Sequence, residues 1–530
     1  MLSACSLLGG SEEQGELPLA DYVAAESQDL ADGGTLTLGA EYLPANFNPL
    51  HTDGSNSDAP RILAPTMGSA VRVLADGSWE VDKDYAKSVS IVDRKPLVIE
   101  VELEPKAVWE GGTPIRSKDM VAFVKAMKDS RFSGDAHPAM SDIDSVDVTS
   151  DLKYQVKFKR VNADWPAVIY PALPAAITTS QDTFNSGFQT QAIPSNGPFK
   201  VALISTETNT IRLERNPRWW GTKPPLSEIV WRFAEPDVLA QAFELGELDM
   251  APLRHLDKKS LPSGAEVRVA ASSYWSQITL NGGRGPLEDA KVRQAVALAV
   301  DRKAFAEDQK VELGRAGPPL DTVVTMPGQV GHHAVGTKRD LEAARNLLDQ
   351  AGWKDADGKA VKDKKQLELV LPIPEKQEPA KRRAELITKQ LAEIGITVKT
   401  EVVAADTFYE KRVIPLDFDL VTFTRRGSAF NVSQSRLWFT PRDSPQNFTG
   451  KESKETAKAF SAVLTQLDPD KRSEASETLE TIVANQASVI PLVVIPAAWV
   501  VRDGVVNFGP TQFEQLDWTK VAWHKDSQEK

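Results

Sequence analysis

Leu287-Glu288-Asp289-Ala290-Lys291-Val292-Arg293-Gln294-Ala295-Val296-Ala297-Leu298-Ala299-Val300 opens the half of the chain whose pattern decides the fold. Val292, Ala295, Val296, Ala299 and Val300 recur at the spacing of one helix face. Glu288 and Asp289 stand before them, where carboxylates favour the positive end of a helix. The pattern predicts a second helix over 341–351, capped by Asp340 and closed by Gly352, then a strand at 367–371, a helix at 384–394 and a strand at 396–403. Strands alternating with helices form an α/β layer structure.

Working outward, the earlier half reads differently. Thr35-Leu36-Thr37-Leu38 alternates like a strand after Gly33-Gly34, and short strands are predicted at 97–103, 154–158, 211–214 and 229–233. That half is expected to be mostly β with interspersed helices. Beyond the α/β half, apolar runs at 489–494 and 497–501 are expected to return the backbone to the first body. The division expected is 33–275 for lobe I, with an inserted subdomain at about 60–185, then 276–494 for lobe II and 495–530 as the return.

At 530 residues the chain exceeds one ordinary core, so more than one body is expected. Apolar residues make up 41% and charged residues 26%, the balance of a soluble globular protein. The net charge of -12 speaks against a nucleic-acid partner, because phosphate binding needs a basic footprint. No run of eighteen apolar residues occurs, so any membrane attachment is expected to be covalent.

Cys5 is the single cysteine, so no disulfide forms within the chain. Leu2-Ser3-Ala4-Cys5 resembles a bacterial lipobox, in which the cysteine becomes the lipidated first residue. The basic and apolar stretches of a leader are not in front of it, so the pattern is expected to end a leader that starts upstream. Seven acids follow before residue 33 with no Lys or Arg, and residues 1–32 therefore read as a lipobox remnant and a flexible, solvated acidic tether.

Several ordered blocks carry a family resemblance. Trp109-Glu110-Gly111-Gly112-Thr113-Pro114-Ile115 with Asp119 is a turn leading to a helix whose start an acid caps. Asn196-Gly197-Pro198-Phe199-Lys200 and Leu213-Glu214-Arg215-Asn216-Pro217-Arg218-Trp219-Trp220-Gly221 follow, then Gly246-Glu247-Leu248-Asp249, Asn281 and the 287–295 block with Asp301-Arg302. Ala343-Ala344-Arg345-Asn346-Leu347-Leu348, Ala351-Gly352-Trp353 and Ile490-Pro491-Leu492 complete the series. Together they resemble the extracellular solute-binding proteins of family 5, the peptide and nickel receptors of ABC importers. The resemblance implies an α/β, bilobal periplasmic-binding-protein-like fold of type II, large cluster C type, with an extra subdomain in the first lobe. It also implies a ligand in the cleft and capture by hinge closure.

Peptide-binding members resemble one another in Trp-x-x-Asp-Tyr-Pro-Asp-Pro, whose first acid holds the ligand's ammonium group. Here the corresponding stretch is Phe418-Asp419-Leu420-Val421-Thr422-Phe423-Thr424-Arg425-Arg426-Gly427-Ser428-Ala429-Phe430-Asn431, with two guanidiniums and no such acid. An arginine there would repel an ammonium and could pair bidentately with a carboxylate or phosphate. The expected ligand is one without a free amino terminus, an anion, or a peptide held by different groups. By the same resemblance the ligand-binding candidates are Tyr42, Asn46, Phe47, Tyr274, Trp275, Asn281, Arg425, Arg426, Ser428, Phe430, Asn431, Gln434 and Trp438, whose aromatics can stack and whose amides can fix polar groups.

Catalytic and metal patterns are weak. The histidines are scattered apart from His332-His333, a spacing unlike a zinc site, and Asp355-Ala356-Asp357-Gly358 lacks the remaining ligands of an EF-hand loop. No Gly-x-Ser-x-Gly elbow occurs. The chain is expected to be no enzyme and to need no cofactor or metal. It is read as the monomeric substrate-binding lipoprotein of an ABC import system, held to the membrane by a lipid on Cys5, capturing a peptide or related small oligomer for permease subunits. The alternative is a non-transporting envelope lipoprotein that keeps the fold and regulates or scaffolds envelope synthesis.

Overall fold

The computed structural model describes residues 17–55, 58–252, 261–313 and 315–527. Cys5 lies outside them. Its main elements, in chain order, are β1 (Thr35–Ala40), β2 (Ala86–Arg94), β3 (Leu97–Leu103), α1 (Ser117–Met127), β4 (Ile143–Ser150), β5 (Lys153–Phe158), β6 (Phe199–Ser205), β7 (Thr210–Arg215), β8 (Glu228–Phe233), α2 (Pro236–Glu244), β9 (Met250–Pro252) and β10 (Ala265–Leu280). The remainder holds α3 (Ala290–Ala299), α4 (Arg302–Leu313), α5 (Leu341–Gln350), β11 (Glu368–Pro374), α6 (Glu378–Ala392), β12 (Thr397–Val403), β13 (Leu420–Arg426), α7 (Lys454–Leu464), α8 (Pro469–Gln486) and β14 (Val489–Arg502).

One eight-stranded sheet runs through the molecule in the order β13-β10-β14-β9-β1-β8-β7-β6. β1 lies parallel to β8, and β8, β7 and β6 follow one another antiparallel. Leu36, Leu38, Ile211, Leu213, Ile229 and Trp231 from these strands build one core cluster. The antiparallel sheet β2-β3-β5-β4 forms a separate layer, in which Leu97, Ile99, Val101 and Leu103 meet Tyr154, Val156 and Phe158 above Met120 and Phe123 of α1. Their period-two spacing buries one face, which is why this region was readable as strands.

The later half is the expected α/β body. β11 and β12 pair in parallel around α6, and Ile387 and Leu391 of α6 share a core with Leu369, Leu371, Val292, Val296, Leu348 and Ile490. Asp340 accepts from Ala343 N and Asp289 from Lys291 N, so both helix starts are capped by the acids that the sequence marks. Gly352 closes α5 at φ +87, a left-handed position that glycine adopts without a Cβ penalty. Asp119 is the third residue of α1; its carboxylate accepts from Arg116 N at the helix start and from Ala175 N. Asp357 and Gly358, at φ 54 and 77, form the polar turn of a hairpin.

The tether expectation is corrected for residues 17–32. This segment runs along the C-terminal tail: Asp21 N donates to Pro510 O, Ala25 N to Asn507 Oδ1 and Ala31 N to Trp523 O. Asp21 also accepts from Val269 N on β10, and Leu17 is buried beside Phe243 and Trp275. Its acids mislead because the segment is held by backbone bonds and a few apolar anchors, not by its overall polarity. No helix among the described residues is long and apolar enough to cross a membrane.

Candidate ligand-binding site

β10 and β14 connect the two bodies, and the register of their pairing shifts twice along the way. Ala265 to Ala271 pair with Arg502 to Pro496; after a wide break Trp275 and Ser276 pair with Val494 and Val493, and after a second shift Gln277 to Thr279 pair with Pro491 to Val489. Ser272 bridges the break: its hydroxyl donates to Ile495 O at 2.6 Å and accepts from Tyr274 N at 3.0 Å. Ser273 O accepts from Gly427 N at the end of β13. The irregularity therefore sits against the 424–431 stretch.

Tyr274 pairs with Arg426 and Trp275 with Arg425 across β10 and β13. Adjacent strand residues face opposite ways. Arg426 is exposed and lies over the ring of Tyr274 at 5.8 Å. Arg425 is 8% exposed and stacks on Trp438 at 4.1 Å and Phe423 at 5.1 Å. Trp275 lies 5.9 Å from Trp438, completing an aromatic cage. The Arg425 Nε and Nη2 have no hydrogen-bond partner among the described residues, and burial pushes its pKa down to about 9, so the group stays cationic at neutral pH.

Across the seam, residues of the early half meet the later half directly. His137 Nε2 bonds Phe430 O at 2.8 Å, Asn162 Nδ2 reaches Ser433 Oγ, and Asp164 accepts from Ser433 N and Arg472 Nη2. Phe430 is half-buried against the cluster of Trp109 and Tyr85. Ser428 accepts from Phe430 N and, through its carbonyl, from Gln329. Asn431 donates to Val324 O while its Oδ1 has no partner among the described residues, and Gln434 Nε2 donates to Gln446 Oε1.

The structure thus brings Trp275, Arg425 and Trp438 together, sets Tyr274 and Arg426 on the opposite face, and puts Ser428, Phe430 and Asn431 on the seam. Tyr42 is 68% exposed, apart from this group. Three further candidates are engaged within the protein itself. Phe47 is 1% exposed within the β1 core. Asn46 spends its Oδ1 on Asn48 N, and Asn281 spends its amide on Leu416 O, Phe418 O and Gly283 N. Loop amides that look free in a sequence are here turn-formers. Sequence reasoning missed Phe423, Gln277 and Tyr409; period two from Arg425 would have pointed to Phe423.

A two-bodied α/β chain whose bodies exchange strands at one irregular crossing, with a cage of aromatics beside it, has the architecture of a bilobal binding protein. The chain belongs to the bacterial extracellular solute-binding proteins, family 5, whose middle region matches residues 80–446. The oligopeptide-binding protein OppA of Mycobacterium tuberculosis (strain ATCC 25618 / H37Rv) is 29% identical over 548 residues, covering 99% of this chain and 92% of that protein. The oligopeptide-binding protein AppA of Bacillus subtilis is 23% identical, covering 76% of each. Among solved structures, the periplasmic EDTA-binding protein EppA superposes with TM-score 0.83 at 19% identity, covering 97% of this chain and 100% of that one. Bacillus subtilis AppA in complex with a nonapeptide gives 0.74 at 19% identity, covering 94% and 100%.

Proposed function

We propose that this chain is the substrate-binding lipoprotein of an ABC import system, which captures a peptide or related small oligomer by hinge closure and delivers it to a membrane permease. The observation that carries the reading is the irregular stretch of the β10–β14 pairing beside the Arg425 cage, where the register shifts between Ala271 and Trp275 and again between Ser276 and Gln277, because a local irregularity between paired stretches is where a hinge can absorb rotation. The lobes divide near this break, with 33–275 and the 495–530 return on one side and 276–494 on the other. The relatives' names supply the peptide class. Cys5 supplies the anchor in its lipobox-like setting, and the protein acts as a monomer without chemistry on its ligand.

Mass spectrometry of material that co-purifies with the full chain tests the reading. Recovery of a defined small ligand, with contraction of the protein in solution scattering when that ligand is restored, is expected. A cleft that yields no small molecule, with a stable protein partner instead, would overturn transport and favour the envelope-scaffold alternative.

A further inference from the structure

The buried arginines of this protein make a comparison that singles out one of them. Arg268 donates to Phe508 O, Val505 O and Glu266. Arg293 donates to Gln486 O, Leu287 O and Glu288 O, and Arg302 to Leu320 O and Pro491 O. Each has exchanged water for protein acceptors, as a desolvated guanidinium must. Arg425 is buried as they are, yet its Nε and Nη2 meet no acceptor and it forms no ion pair among the described residues. The rings of Trp438 and Phe423 cover the faces of the guanidinium and stabilise its charge. They do not satisfy N–H groups that point outward in its plane.

A third donor shares that face. Gln277 lies opposite Phe423 as Trp275 lies opposite Arg425, so the side chains of Trp275, Gln277, Phe423 and Arg425 stand on the same side of the β10–β13 pair. Gln277 is fully buried; its Oε1 accepts from Thr279 Oγ1 and its Nε2 has no partner among the described residues. Tyr409 packs 6.0 Å from Phe423 with nearly half of its surface exposed, which places solvent within one side chain of the face. Donors without acceptors, beside a buried cation, define the chemistry of what completes them: an anionic acceptor.

We propose that the Nε–Nη2 edge of Arg425, with Gln277 Nε2 beside it, is the seat of a ligand carboxylate. The proposal rests on the receptor reading above and names the ligand class that reading leaves open. Two parallel N–H groups on one guanidinium edge match the two oxygens of a planar carboxylate. Arg426 points to the opposite side of the sheet and does not line this seat. The amine end of a ligand has no counterpart in this seat.

The test offers the full chain a library of short peptides and simple organic acids, each paired with its amide, together with matched phosphate monoesters, and reads capture by mass spectrometry. The wild type is expected to retain acids over their amides by about tenfold or more, the preference to vanish in Arg425→Gln, and part of it to return in Arg425→Lys. Gln277→Leu is expected to weaken the same preference. Thermal melting establishes that each variant is folded. Equal capture of acids and amides by the wild type, a preference that survives Arg425→Gln, or a preference for the phosphates would overturn the carboxylate seat and leave the receptor reading intact. Capture of no library member, with no co-purifying ligand, would overturn both.

Discussion

Asp164, fully buried, holds Arg472 Nη2 at 2.5 Å with one carboxylate oxygen and Ser433 N at 2.7 Å with the other. Asp164 belongs to the early half, Arg472 and Ser433 to the later half, so this bond pair exists only while the two bodies are in contact. Ala163 N donating to Leu464 O sits beside it. Asp164→Ala removes a charge-assisted acceptor from two donors, a loss of about 1–3 kcal/mol. With hinge closure as proposed above, the loss falls on the closed state and is expected to appear as a ligand Kd raised roughly ten- to hundredfold, with little change in the unfolding midpoint of the ligand-free protein. Titration calorimetry alongside urea unfolding separates the two; an unfolding midpoint that drops as far as the affinity would show that the contact is structural.

The pairing of residues 17–32 with the C-terminal tail gives a second expectation. Leu17 is buried and Asp21 accepts the Val269 amide, so deleting residues 1–32 leaves a donor on β10 unpartnered and apolar surface uncovered. A fall in the melting temperature of several degrees is expected. A pure tether would be removable at no cost, and an unchanged melt would restore that reading.

What was legible in the sequence follows from which faces are buried. β3 buries one face and alternates, so its limits could be read directly; the helix starts at Asp289 and Asp340 follow from capping chemistry that needs no tertiary context. β10, the longest element of the crossing, was not readable, because Ala270, Ala271, Ser272 and Ser273 interrupt the alternation at the very place where the pairing breaks. The family blocks located the 424–431 stretch but could not tell Arg425 from Arg426. Only the strand register makes one a caged cation and the other a surface group. That Phe47 enters a core and Asn281 bonds neighbouring backbone was not readable, because loop position says nothing about whether a side chain turns inward.

Glu480 provides a pH prediction. Its carboxylate is buried and accepts from Val323 N, Val324 N and Thr325 N, which fixes the loop that also meets Asn431. Burial, outweighing these hydrogen bonds, raises its pKa from 4.5 to about 7. The folded protein therefore binds a proton more tightly than the unfolded chain, so this group's contribution is fully present below pH 4.5 and is lost as the pH rises through about 7. The shift corresponds to roughly 3 kcal/mol at most. Urea unfolding between pH 4.5 and 8 is expected to show that decline in the wild type and a flatter profile in Glu480→Gln. Equal slopes would show that another group carries the dependence.

Gly317 tests the crossing itself. A Cβ there would fall 1.7 Å from Val494 O, a backbone atom of β14 next to the break. Val494 N donates to Pro318 O and Leu320 N to Leu492 O, so the 317–320 segment is laced to β14 and cannot move aside without losing those bonds. Gly317→Ala is expected to cost about 1–3 kcal/mol, the range of overpacking in a well-packed interior, or more where backbone bonds break with it. Gly111→Ala is the matched control, since a Cβ at that glycine meets nothing within 4 Å. If strain at Gly317 is confined to the crossing, the variant also binds ligand more weakly than its lost stability alone requires, because the proposed hinge is displaced from the geometry in which the bodies meet. Denaturation and calorimetry on both variants decide the point: a Gly317→Ala protein as stable and as tight-binding as the Gly111→Ala control would show that β14 gives way there freely, and that the break beside Ser272 is wider than the pairing on either side implies.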